Sequence, residues 1–428
     1  MELTKYEQEM LDGVYGEGYQ LAMEVLVRMG ELYGAKRFIP VRNAHIDAAA
    51  YTTIWDAGTE FLEFLADHGV KVPQPTTINP ISRDIRRWKE LGATEDFAMK
   101  SKRMEDAYLK MGVSPTWTCA PYQCTNLPQF GEIVSWSESN AVNFVNSVIG
   151  ARAERLADLM DVCCAVTGRV PEYGHYITEN RRGDMLFVLE GFDDTWFRDP
   201  VDYAVLGYFI GEIVVAKNPV IVGMPERTGM DDLKAFSAAS ASGGAVCLFH
   251  AVGLTPEAPT VEAAFQGWTG YETRIVTPDD LKDMKRRLDT ADRKNAGVTD
   301  TDRHVDMVLI GCPHASFYEL QQIAQLLDGR KVCEGTEFWI TTSDTQYQLA
   351  VRSGDAEVLE KAGVTIACDT CVMEMEEGTR WKGQTFVTNS GKVAQYSPAI
   401  NQCYIKMADT AGCVEAAVTG RIPEEVHQ

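Results

Sequence analysis

Three cysteines stand on loops where metal or redox chemistry could be done. Cys119 lies in Thr116-Trp-Thr-Cys-Ala-Pro-Tyr122, where Pro121 ends any regular element and leaves the thiol on a loop. Cys312 follows the apolar run Val305 to Gly311 in Gly311-Cys-Pro-His314, and Cys371 follows Val364 to Ala367 in Cys368-Asp-Thr-Cys371. Loops just beyond the carboxyl ends of strands are where open α/β sheets collect ligands. Three loop thiolates far apart in sequence can hold an iron-sulfur cluster with one iron left open, whereas a closed electron carrier takes four ligands. The Cys368-x-x-Cys371 pair also fits half a zinc site or a redox couple, and no second CxxC completes a zinc set. Cys124, Cys163, Cys164, Cys247, Cys333, Cys403 and Cys413 read as small buried hydrophobes.

Each loop needs elements to hold it. Thr4-Lys-Tyr-Glu7 has the form of a capping box, and the apolar period from Tyr19 to Tyr33 predicts a helix. Phe38 to Val41 and Val70 to Val72 are strand-like and flank a helical stretch from Tyr51 to Asp67, a β-α-β pattern that favours a parallel sheet. Pro73 to Asn79 reads as a loop leading into a charged helix over Arg83 to Leu91. In the C-terminal third, strands at Val305 to Ile310, Glu337 to Thr341, Val364 to Ala367 and Gln384 to Val387 alternate with helices at Ser316 to Leu327, Thr345 to Arg352, Ala356 to Ala362 and Cys413 to Val418. That rhythm predicts a doubly wound α/β unit. Between them, Ala235 to Ala245 is rich in Gly, Ala and Ser and suits close backbone packing. The charged segment Asp279 to Arg303 is the expected linker, dividing the chain into lobes 1–290 and 300–428.

The charge balance is −22, from 40 Lys and Arg against 62 Asp and Glu, which opposes general binding to nucleic acid or anionic membranes. Apolar residues make up 45% of the 428, with no charge-free apolar stretch of about 18, so the expectation is no membrane span. The opening MELTKYEQEM resembles no signal peptide, and eleven cysteines, an odd number, match no disulfide framework; a cytoplasmic protein is expected.

Taken together, Thr118-Cys-Ala-Pro-Tyr122, Trp136-Ser-Glu-Ser-Asn-Ala-Val142, Gly311-Cys-Pro-His314, Asp369-Thr-Cys371 and Thr388-Asn-Ser-Gly-Lys392 resemble the aconitase X family. Ala44-His-Ile-Asp47, Pro75-Thr-Thr-Ile-Asn79, Asn146-Ser-Val-Ile-Gly-Ala-Arg152 and Thr167-Gly-Arg169 fit it too, in the same order from about residue 4 to 420. The resemblance implies one catalytic large-subunit module over 1–428. Its fold would be aconitase-like α/β, with parallel sheets flanked by helices in two or three subdomains around a central cluster cleft. It also implies a hydro-lyase whose iron-sulfur cluster, 4Fe-4S or 2Fe-2S, sits on Cys119, Cys312 and Cys371. In the family a substrate hydroxyl meets the open iron, a base takes a neighbouring proton, and water leaves.

Carried over by motif, the catalytic candidates are Glu138, Ser139 and His45. The substrate-contacting candidates are Ala48, Ala49 and Ala50 after His45, Asn79 and Pro80, and Ser390, Gly391 and Lys392. Ser390 and the Gly391 backbone can donate to a carboxylate or phosphate, Lys392 supplies a point charge, and Glu138 or Ser139 can orient a hydroxyl or relay a proton. Each has an ordinary structural alternative: Ser390 a turn former, Lys392 a solvated lysine, Glu138 a helix N-terminal acid, His45 and His314 structural histidines.

Family branches differ at the substrate. Members that dehydrate phosphomevalonate look like Ser-Gly-Val-Ser after Ala-His-Val, whereas this chain reads Asp47-Ala-Ala-Ala50. Members that dehydrate cis-3-hydroxy-L-proline look like Ala-His-Ile-Asp-Gly, which Ala44 to Asp47 matches and Ala48 does not. Arg152-Ala-Glu-Arg155 departs from both branches. The expected reaction is therefore dehydration of a small hydroxy acid, cis-3-hydroxy-L-proline ahead of phosphomevalonate. The family's small swivelling domain, which carries a catalytic serine, is not legible here and is expected as a separate small subunit. The competing reading is a non-catalytic iron-sulfur or zinc protein.

Overall fold

A computed structural model describes residues 1–291, 304–376 and 379–422. The chain opens with the expected capping box: Thr4 Oγ1 accepts from the Glu7 amide, and Glu7 Oε2 accepts from the Thr4 amide at 2.8 Å. Helix Glu17–Leu32 follows, then strand β1 (Phe38–Pro40) and β2 (Ala44–Ile46). β2 is the centre of a parallel sheet, flanked by β3 (Thr76–Ile78) and β4 (Ser135–Trp136), while β5 (Arg169–Pro171) pairs antiparallel with β1.

Three local expectations fail here. Val70 to Val72 is not a strand: the Val70 amide closes helix Tyr51–Asp67 by donating to Leu65 O, and the Val72 amide donates to Met111 O. β3 instead comes from the stretch read as a loop, because Thr76, Thr77 and Ile78 are β-branched and buried, and Pro75 sits before the strand, where it removes no ladder donor. Nor is Arg83 to Leu91 a helix. Asp84 Oδ1 accepts from the Arg86 and Arg87 amides at 2.9 and 2.7 Å, a side-chain cap that competes with helical pairing. The helix of this region is Glu95–Met111, capped by Thr94.

The second sheet is parallel, in the order β8-β7-β6-β9, from β6 (Met185–Leu189), β7 (Pro219–Val222), β8 (His250–Ala251) and β9 (Glu272–Val276). Its helices Pro200–Val214 and Met230–Gly243 pack through the small-residue patch, so closely that a Cβ on Gly207 would lie 2.5 Å from Phe236 O. The expected linker begins as helix Pro278–Leu288; residues 292–303 lie outside the described residues.

The third sheet, β10 (Met307–Ile310), β11 (Glu337–Thr342), β12 (Val364–Cys368), β13 (Thr385–Thr388) and β14 (Tyr404–Met407), is parallel in the order β12-β11-β10-β13-β14. All four β10 residues are buried, as helices on both faces require, and each such apolar side chain contributes about 1.5–3 kcal/mol. Strand order reverses between β10 and β13, which opens a crevice at their carboxyl ends. A parallel bridge between Ile81 and Thr370 joins the carboxyl-end loops of the first and third sheets. No helix among the described residues is long and apolar enough to cross a membrane.

Candidate active-site cleft

β10 leaves its sheet at Gly311, whose φ of 101° and the 2.1 Å that would separate a Cβ from Thr341 O admit only glycine. That turn delivers Cys312 to the crevice. From the other side of the reversal, β13 delivers Ser390, whose hydroxyl donates to Cys312 O and accepts from the Val393 amide at 3.2 Å, capping helix Gly391–Ile400. Cys371 arrives after β12, and Cys119 from the segment beside β3, where the Thr118 amide donates to Ile78 O.

His314 ties these loops together. Its amide donates to Cys119 Sγ at 3.3 Å, its Nδ1 lies 3.1 Å from Thr118 Oγ1, and its Nε2 donates to Thr370 O at 2.8 Å. Burial holds the ring neutral, lowering its pKa to about 4, so His314 acts as a brace. Burial also pushes the Cys119 thiol up to about 12 and raises Cys312 and Cys371. Thiols so placed ionise only in the company of a cation. Cys368, at the end of β12, packs with the buried side chains around the third sheet instead.

Facing the thiols are the carboxyl ends of β2, β3 and β4. Glu138 caps helix Ser139–Phe144 through Oε2, accepting from the Ala141 amide at 2.7 Å, while Oε1 accepts from Lys392 Nζ at 2.7 Å and Ser139 Oγ at 3.0 Å. Burial pushes this carboxyl up, and Lys392 more than offsets it, leaving Glu138 below its ordinary value. Asp47, beyond β2, accepts from Asn79 Nδ2 at 2.5 Å. Burial first, and then the charge of Glu138, raises the Asp47 carboxyl well above the usual range. Asp47, Glu138, Lys392, Cys119, Cys312 and Cys371 lie close enough for their charges to act on one another, with Asn79 and Ser139 bonded to the two carboxylates, which gathers them about one cleft.

Other expected residues lie differently. Ala48, Ala49 and Ala50 are buried after β2, with the Ala48 amide held by Asp161 Oδ2 at 3.2 Å, and Pro80 is buried too. His45 is fully buried; its Nδ1 lies 2.9 Å from Thr77 Oγ1, and burial lowers its pKa to about 4. The close approach that Gly391 permits is to helix Met230–Gly243, where a Cβ would come within 3.0 Å of Ala239 Cβ.

Sequence reasoning missed Asp161, whose Oδ2 accepts from the Asp47 amide at 2.6 Å and Ser137 Oγ at 2.8 Å and so fixes the floor of the cleft. The signal was an acid inside the apolar run Met160 to Val166. It also missed Lys234, 2% exposed, which pairs with Asp231 at 3.0 Å and Glu319 and donates to His314 O at 3.3 Å.

Sequence models of the first, second and third aconitase X domains match residues 1–179, 183–286 and 305–419. The chain belongs to the aconitase X family. It is 40% identical to the cis-3-hydroxy-L-proline dehydratase of Pseudomonas aeruginosa, over 98% of this chain and 70% of that one. It is 36% identical to the phosphomevalonate dehydratase large subunit of Methanocaldococcus jannaschii, over 98% of this chain and 100% of that one. The holo-form structure of Thermococcus kodakaraensis aconitase X matches with a TM-score of 0.85 and 32% identity, covering 97% of this chain and 100% of that chain. In this family the chain is a hydro-lyase of aconitase-like α/β fold.

Proposed function

We propose that the chain is the cluster-bearing part of a dehydratase for cis-3-hydroxy-L-proline or a closely related cyclic hydroxy amino acid. Asp47 carries this reading. It is a carboxylate on the cleft with no ion pair among the described residues, next to Asn79, whose Nδ2 donates to it. A ring ammonium suits this carboxyl, since its charge would favour the ionised form that burial and Glu138 disfavour, whereas a phosphate would gain no cation from it. The 40% identity to the Pseudomonas aeruginosa dehydratase supports the same substrate.

Cys119, Cys312 and Cys371 would hold an iron-sulfur cluster, braced by His314 and Ser390. When bound, such a cluster supplies a Lewis acid for a departing hydroxyl. Lys392, fixed by Glu138 and Ser139, keeps one N–H for the substrate carboxylate. Glu138, ionised beside Lys392, and His45, beneath the cleft floor, are positioning residues in this reading. A small swivelling-domain subunit completes the enzyme, supported by relatives that are named large subunits.

The test is turnover by the anaerobically reconstituted chain with the small subunit added. We expect kcat/KM for cis-3-hydroxy-L-proline to exceed that for (R)-5-phosphomevalonate by at least about 100-fold, about 2.7 kcal/mol. The reverse preference would assign the chain to the phosphomevalonate branch, and no turnover of either by cluster-loaded protein would make it a non-catalytic iron-sulfur protein.

A further inference from the structure

At the seam between the first and second aconitase X domains, away from the cleft, Glu154, His175 and Cys247 bring a carboxylate oxygen, a ring nitrogen and a sulfur within 4.8 Å of one another. Glu154 belongs to the stretch Arg152-Ala-Glu-Arg155. Glu154 is 9% and Cys247 6% exposed.

The ring of His175 has an assigned tautomer. Asn218 Nδ2 donates to Asn180 O at 2.8 Å and Arg182 O at 3.0 Å, so its Oδ1, 2.9 Å from His175 Nε2, is the acceptor and Nε2 carries a proton. Nδ1 is thereby turned inward, 2.8 Å from Glu154 Oε2, while Cys247 Sγ lies 3.5 Å from Glu154 Oε1. The backbone makes room for this carboxylate: Gly174 takes φ 53°, and a Cβ there would sit 1.9 Å from Glu154 Oε2. The Glu154 carboxylate is further held by the amides of His175 at 2.8 Å and Arg155 at 2.9 Å.

We propose that Glu154, His175 Nδ1 and Cys247 form a binding site for a divalent cation of the zinc class, distinct from the iron-sulfur site. Thiolate, imidazole and carboxylate together match zinc, whereas magnesium and calcium take oxygen donors alone. The thiolate and carboxylate balance a dication, so the loaded site is neutral where it is buried. Loading displaces one proton from Nδ1 and one from Sγ. Asn218 serves as the outer partner that orients a metal-bound histidine. Since Glu154 and His175 come from the first domain and Cys247 and Asn218 from the second, the ion would fasten the two together.

The experiment measures zinc and iron in the full chain after growth with zinc and dialysis against a weak chelator. About one zinc per chain is expected in the wild type and in Cys119→Ser, which loses iron, and almost none in Cys247→Ala or Glu154→Gln, which keep their iron. Asn218→Ala should weaken zinc binding about 10- to 100-fold. Anomalous scattering at the zinc edge from wild-type crystals, which needs no variant, should peak between these side chains. A wild type without zinc, zinc retained in Cys247→Ala, or zinc lost with Cys119→Ser would each overturn the proposal and leave a metal-free His175–Glu154 ion pair.

Discussion

Lys392 Nζ lies 2.7 Å from Glu138 Oε1, joining the helix that follows β13 to the residue that caps the helix after β4. This pair spans the cleft between the first and third sheets. Burial alone would lower the Lys392 pKa; the Glu138 carboxylate above all raises it well above the ordinary value, so the lysine is charged at any working pH.

Lys392→Met should therefore raise KM and lower kcat together, with at least about a tenfold loss in kcat/KM, or 1.4 kcal/mol. Iron content should stay at the wild-type level. The variant also removes the cation that holds Glu138 down, so any acid limb of the pH–rate profile that reports Glu138 should move to higher pH. Kinetics within about twofold of wild type would take Lys392 out of the substrate site.

Cys119→Ser, Cys312→Ser and Cys371→Ser should each lose the brown colour and the bound iron, since each removes one of three anchors. Cys368→Ser should keep both, because that thiol packs with the third-domain core. Equal loss in Cys368→Ser would bring the CxxC pair into the ligand set.

Asp47→Asn keeps the size of the side chain and removes its charge. Loss of one charge-assisted hydrogen bond to an ammonium is worth about 1.5–3 kcal/mol, so kcat/KM for the amino acid substrate should fall about 10- to 100-fold. An unchanged value would show that the amine binds elsewhere.

Lys234→Met leaves Asp231 and Glu319 buried without their shared cation and frees His314 O. Breaking a buried pair from one side costs about 3–5 kcal/mol, so a lower denaturation midpoint and weaker iron retention are expected together. Wild-type stability would mean that water replaces the ammonium there.

Asp199 accepts from the Val201 amide at 3.0 Å and from the Thr410 amide at 3.0 Å, and burial raises its carboxyl to about 6. The folded state holds this proton more tightly than the unfolded chain, so the group's stabilising share is full below about pH 4 and is lost as pH climbs through about 6. Denaturant unfolding of wild type and Asp199→Asn should thus show the wild type's relative stability falling between about pH 4 and 6 and level above that. A difference that stays flat or grows with pH would contradict the raised carboxyl.

By itself the sequence determined the strand-and-helix rhythm of the third domain, because strands buried on both faces are continuous apolar runs and their ends are marked by Gly311, the Asp369-Thr-Cys371 loop and Ser390. It also singled out Cys119, Cys312 and Cys371, since a thiol next to a strand end or a proline is visible in one dimension. Local pattern misled where tertiary packing outvoted it: Val70 to Val72 has a strand's residue types, yet Thr76 to Ile78 is what lies beside β2. Only the tertiary structure decided that Ser390 and His314 brace the cysteine loops, that Asp161 fixes the cleft floor, and that Lys392 meets Glu138 across 254 positions of sequence. It likewise gathered Glu154, His175 and Cys247, of which Cys247 had read as an ordinary buried thiol. The reason is physical: periodicity records which face of an element is buried, whereas the partner of a buried charge is set by how separate sheets pack, and no local pattern carries that.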